Sequence, residues 1–165
     1  TPDVESLGKL KLGLGGANKG YMEAFLGAGG VSVLVRAMEG RAHKHPIREL
    51  DVAVLFEILT CCKAVMNNQV GMDGFMVVQG AVQAIVQCLR FEYRLFSLLL
   101  LEILSVVCFY SPQAAAEVVG GMRLLARRSQ EPPFYCLCLA LRSQDVEVKA
   151  AVMQFVNSLV MGVAG

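Results

Sequence analysis

Apolar residues recur along this chain at helical spacing, and no stretch sustains the apolar–polar alternation of a half-buried strand. Gly15-Gly16, Gly29-Gly30, Pro46, Asn67-Asn68, Gly80, Pro112, Gly120-Gly121 and Pro132-Pro133 punctuate the pattern, since these residue types interrupt regular structure. Long helices are expected at about 48–67, 92–111 and 144–161. Shorter ones are expected at about 21–28, 30–41, 72–78, 80–90, 113–128 and 133–142. Ser111-Pro112 marks a stop, because the residue before a proline avoids helical dihedrals.

The long segments resemble one another. Glu57-Ile58-Leu59-Thr60 recurs as Glu102-Ile103-Leu104-Ser105 and again as Gln154-Phe155-Val156-Asn157, with a fainter copy at Glu5-Ser6-Leu7-Gly8. A repeat of this length with two or three helices per unit predicts an all-α, armadillo-repeat-like right-handed solenoid of about three to four repeats. On the helix at 48–67 the polar residues Glu57, Thr60, Lys63 and Asn67 fall on one face, because steps of three and four keep to one side of a helix. The same phase gives Glu102, Ser105, Val106 and Phe109 in the next long helix, and Gln154, Asn157 and Ser158 in the last. Side by side, such stripes would form a concave ridge, the surface that solenoids use for binding. Large apolar side chains on it, Phe109 above all, point to a protein partner.

Composition narrows the class. At 165 residues the chain can bury one sizeable core. Hydrophobic residues make up 55% and charged residues 18%, which excludes disorder. A net charge of +1 gives no electrostatic case for nucleic acid. The strongest apolar run, Leu95 to Tyr110, is shorter than a membrane span and carries Glu102, so it is expected to be a buried helix. The six cysteines lie in apolar runs and read as helix-interior thiols in a reducing, cytosolic setting.

Catalytic and metal motifs fail. Gly13 to Tyr21, GLGGANKGY, lacks the Lys-Ser/Thr ending of a phosphate loop and reads as a helix-terminating loop. His43 and His45 have no ligand cluster near them in sequence, and Arg41 and Lys44 make that segment a basic surface loop. Cys136 and Cys138 read as core. Arg123, Arg127 and Arg128 suit the C-terminal end of a helix. No cofactor and no catalytic residue is assigned. An enzyme using a cysteine nucleophile is the outlying alternative, and a fast-reacting thiol in the folded chain would be its mark.

The segment Leu59 to Met72, LTCCKAVMNNQVGM, resembles the signature of the armadillo-repeat inhibitory domain in the N-terminal regulatory (GTPase-binding/FH3) region of diaphanous-related formins. GAVQAIVQCL (80–89), LLEILSVVCFYSP (100–112) and KAAVMQFVNSLVMG (149–162) are similar to the repeats that follow in that family, in the same order. The resemblance implies a cytoplasmic, cytoskeleton-associated regulatory module. Its groove would bind an amphipathic autoregulatory helix from the C-terminal tail of the same protein, and a Rho-family GTPase would displace that helix and release actin assembly. By position it implies Lys63, Asn67, Glu102, Val106, Phe109, Gln154 and Asn157 for the helix, and Lys11, Gly16, Lys63 and Asn67 for the GTPase. The family's Asn-rich turn is replaced here by Gly15-Gly16-Ala17. Residues 1–165 are expected to be a piece of a larger multidomain protein. The competing reading is an armadillo adaptor for some other peptide, outside any formin.

Overall fold

A computed structural model describes residues 3–44 and 46–164. Among these, ten helices and no strands occur. They are α1 (Val4–Gly15), α2 (Lys19–Gly27), α3 (Gly30–Ala42), α4 (Glu49–Met66), α5 (Gln69–Met76), α6 (Ala81–Gln87), α7 (Arg94–Tyr110), α8 (Pro112–Ser129), α9 (Tyr135–Leu141) and α10 (Val146–Ala164). The chain is all-α, and every helix expected from the periodicity is present within a few residues of its expected ends. One more helix, α1, runs straight through Gly8 and Gly13. The stretch Gly13 to Tyr21 is therefore mostly helical, and only residues 16–18 turn between α1 and α2.

A three-helix order repeats: α2-α3-α4, α5-α6-α7 and α8-α9-α10, with a helix of 17 to 19 residues last each time. The first helix of each set starts at a side-chain cap in the turn after the preceding helix. Asn18 Oδ1 accepts the Tyr21 N–H at 2.9 Å, Asn68 Oδ1 accepts that of Gly71 at 2.8 Å, and Ser111 Oγ accepts that of Ala114 at 3.1 Å. Such caps satisfy a backbone donor that the helix cannot. Ser111 is extended, ends α7 and begins α8, with Pro112 in the first turn.

The chain divides into two compact units, 1–84 and 85–165, the division falling within α6. In the first unit α1 packs on α4, α2 on α3 and α5, and α4 on α3 and α5. Leu7, Met22, Met38, Leu55, Ile58 and Phe75 are among its fully buried side chains. In the second unit α7 packs on α10 and α8, and α10 also contacts α8 and α9. Leu100, Leu104, Val107, Val118, Val152 and Phe155 fill that core.

Candidate helix-binding surface

Helices α7 and α10 run side by side in the same direction. Arg94, which begins α7, reaches Asp145 Oδ2 at 2.6 Å and also bonds Glu147, where α10 starts. At the other end, a Cβ added to Gly162 of α10 would lie 2.4 Å from the Cys108 carbonyl oxygen of α7. Starts meet starts and ends meet ends, with only a glycine able to fill the closest approach. The register is 51 and 53 residues at the Arg94 pairs, which brackets the 52-residue spacing between Glu102 and Gln154.

Helix α7 is buried on three sides. Its remaining stripe carries Glu102, Val106 and Phe109, all exposed, with Val106 at 48% and Phe109 at 67%. On α10 the exposed face carries Gln154 and Asn157. The second unit thus brings five of the sequence-assigned residues onto two adjacent parallel helices. Phe109 follows Cys108 and Met161 precedes Gly162, so two large exposed apolar side chains sit beside the point of closest helix approach. Met153, Val160 and Met161 are 47%, 61% and 65% exposed and were missed by motif matching. The signal was present in the sequence: the positions facing the core of α10 are already filled by Val148, Val152, Phe155 and Leu159, which leaves these three over.

Two residues assigned to the stripe are not on it. Ser105 is 5% exposed and Ser158 2%. Their hydroxyls donate to the carbonyls four residues back, Ser105 to Leu101 at 2.8 Å and Ser158 to Gln154 at 2.9 Å. Thr60 does the same to Phe56 at 2.8 Å on α4. A small hydroxyl satisfied by its own helix can be buried at little cost, so polar type alone misplaced them.

In the first unit Glu57, Thr60 and Lys63 are half-buried and Asn67 is exposed at the end of α4. The Lys11 ammonium donates to Glu57 Oε2 at 2.9 Å, tying α1 to α4. Cys61 Sγ donates to the Leu7 carbonyl beneath that pair at 3.5 Å. Gly16 is exposed in the α1–α2 turn, with its N–H donated to Leu14.

The basic loop between α3 and α4 is anchored rather than free. Asp51, 4% exposed, accepts from Lys44 Nζ at 2.7 Å and Arg48 Nε at 3.1 Å, with Arg41 Nε at 3.8 Å. The hydrogen bonds from Lys44 and then Arg48 hold its carboxyl below the ordinary carboxylate value. His43 is exposed, and His45 lies outside the described residues. No group of three His, Cys, Asp or Glu among the described residues could hold a metal.

The thiols also divide. Cys61, Cys62, Cys88 and Cys108 are buried, but Cys136 is only half-buried and Cys138 is exposed, so the latter pair is not core. The turn of α9 places them two residues apart on different sides. Burial pushes Cys61 to about 11, Cys88 to about 12 and Cys108 to about 11. An activated nucleophile needs the opposite shift. One described helix, α10, is long and apolar enough to cross a membrane by length and composition. Its apolar character resolves into a core face packed on α7, α8 and α9 and the exposed strip above.

Residues 2–109 match the Diaphanous GTPase-binding Domain family. The chain belongs to that family. Similarity extends past the matched region: the chain is 22% identical over 163 residues to Inverted formin-2 of Xenopus tropicalis, covering 98% of this chain and 12% of that protein. It is 22% identical over 162 residues to human Protein diaphanous homolog 3, covering 95% and 13%. It is 26% identical over 152 residues to mouse Disheveled-associated activator of morphogenesis 2, covering 88% and 13%. The chain therefore spans about an eighth of the length of these relatives. The family is one of regulatory binding domains, not of catalytic ones.

Proposed function

We propose that this chain is a formin-type autoinhibitory and partner-binding module. The exposed face of α7 and α10 takes an amphipathic helix from the C-terminal tail of the same protein, and a small GTPase of the Rho family relieves that contact. Actin assembly, carried out by other parts of the protein, is thereby restrained or released in the cytoplasm. The observation that carries the reading is Phe109, two-thirds exposed on the one open stripe of a helix whose other sides are buried. With Val106 beside it and Gln154 and Asn157 on the parallel neighbour, it offers an apolar seat bordered by hydrogen-bonding groups. An amphipathic helix uses such a seat through side chains three and four residues apart. Glu102 supplies the charged end of the stripe.

In the first unit, Lys63 and Asn67 are assigned to contact both partners, and Lys11 and Gly16 to contact the GTPase. The pairing of Lys11 with Glu57 makes the α1–α4 junction, rather than a free lysine, the feature that a GTPase would meet there.

The test is a fluorescence titration with a labelled peptide carrying the C-terminal amphipathic helix of the same reading frame. Phe109→Asp puts a charge in the apolar seat and is expected to weaken binding by at least about 100-fold, a loss of the size found for central interface residues. The exposed position leaves the helical circular-dichroism spectrum unchanged. Equal affinity in wild type and variant would refute the assignment of this surface.

A further inference from the structure

The second helix of each three-helix set begins after a residue in the left-handed region. Before α3 it is Gly29, at φ +74°, and before α6 it is Gly80, at φ +79°. Glycine takes that conformation without a Cβ clash. Before α9 it is Phe134, at φ +65° and ψ +6°. The turn is otherwise the same in the last two sets: the Ala81 N–H donates to the Val78 carbonyl and the Tyr135 N–H to the Pro132 carbonyl, each at 3.1 Å. Pro133 suits the second place of such a turn, but the third place asks for glycine. A phenylalanine there is held against its own preference. The fold thus explains a left-handed residue at 134 and not the side chain that stands there.

Pro132-Pro133-Phe134-Tyr135 is a Pro-Pro-x-Tyr sequence. The matching connections in the other sets, Ala28-Gly29 and Val77-Val78-Gln79-Gly80, hold no proline. Pro132 and Pro133 are exposed, Phe134 is half-buried and Tyr135 is 36% exposed. Pro-Pro-x-Tyr is the ligand of one class of WW domain. The aromatic-lined groove of that domain stacks on prolines in the polyproline II form, and a pocket beside it takes the tyrosine ring. We propose that this segment docks a WW-type domain of a partner protein. Docking draws Phe134 back to negative φ and breaks the hydrogen bond between Tyr135 and Pro132. The opening is eased because the residue that resists the closed turn relaxes in the extended one, a return that Gly29 or Gly80 could not give.

The segment is the α8–α9 connection and not the exposed face of α7 and α10, so the inference does not rest on tail binding and the two fail separately. The chain contains no tryptophan. The tryptophan fluorescence of an isolated WW domain of the Pro-Pro-x-Tyr class therefore reports its docking on the 165-residue chain without a label. Saturable binding is expected. Tyr135→Ala is expected to weaken it by at least about tenfold, as loss of a central anchor does. Pro133→Ala, which lies outside the helices, is expected to do the same and is the second variant should Tyr135→Ala lose helical signal. Phe109→Asp is expected to leave the affinity within about twofold, since it shares no partner with the motif. A chain that does not bind overturns the proposal, even where a peptide of residues 129–140 binds, because the folded turn then withholds the motif. So does binding that both Tyr135→Ala and Pro133→Ala leave intact, whose site would lie elsewhere.

Discussion

Asp51 stands in the first turn of α4, where a carboxylate is favoured by the helix dipole, and it is almost wholly covered. Such a group is tolerable only when paired, and Lys44 and Arg48 supply the pairing. Its pKa is lowered in the fold, so near pH 4 the unfolded chain holds the proton more often. The resulting stabilisation is fully present above the unfolded value of about 4 and is lost as pH falls through the lower folded value. Asp145 adds to the same trend, through the Val148 N–H and Arg94. Urea midpoints measured from pH 6 down to pH 3 are therefore expected to fall steeply below pH 4. Asp51→Asn is expected to lower the midpoint at pH 6 and to flatten the fall. A variant whose midpoint drops in parallel with wild type would mean that Asp51 contributes nothing to it. The sequence read Arg41 and Lys44 as part of a basic surface loop and gave no sign of the carboxylate that holds them. Periodicity tells which face a residue occupies, but the carboxylate that captures the loop lies in the first turn of the next helix, and only folding brings the two together.

At the scale of the element, caps and periodicity carried most of what could be read. The ends of α4, α7 and α8 follow from Asn67-Asn68 and Ser111-Pro112, and the structure shows why: Asn68 and Ser111 accept the backbone donors that open the next helix. Ser111→Ala is expected to cost about 1 kcal/mol in urea unfolding, the usual worth of a serine cap, with α7 unaffected because its end is set by the extended Ser111 backbone and Pro112. Loss below a few tenths of a kcal/mol would show that Pro112 alone starts α8. The helix given no range is α1, visible only as the faint copy Glu5-Ser6-Leu7-Gly8. Its three glycines resemble punctuation, and each costs roughly 1 kcal/mol of helix propensity against alanine. Packing outweighs them: Leu7 and Leu14 are each 2% exposed, Asp3 caps the start by accepting the Ser6 N–H at 2.8 Å, and Lys11 bridges to Glu57. Propensity is local and this helix is held by tertiary contacts, so a local reading passes over it.

For the molecule as a whole, the surface proposed for binding was legible in outline because long helices buried on most sides leave a narrow stripe, and the stripe keeps its phase from one repeat to the next. Ser105 and Ser158 were placed wrongly on it because a hydroxyl can satisfy itself on its own helix. Met153, Val160 and Met161 were left off because they lie outside the repeated motif Gln154-Phe155-Val156-Asn157. The thiols test this picture of inside and outside directly. Each unit holds its own buried pair, Cys61 and Cys62 in the first and Cys88 and Cys108 in the second. At pH 7.5 a thiol raised to 11 or 12 is almost entirely protonated, and burial also bars the reagent. Native-state alkylation followed by mass spectrometry is expected to label Cys138 first and Cys136 more slowly, since burial both shields the latter and raises its pKa. The four buried thiols should react only as fast as their own unit opens, and adding urea below the unfolding midpoint should speed those four without changing Cys138. A buried cysteine that outran Cys138 in the folded chain would contradict the packing of that unit and revive the nucleophile reading, because fast attack demands a thiolate that burial here suppresses.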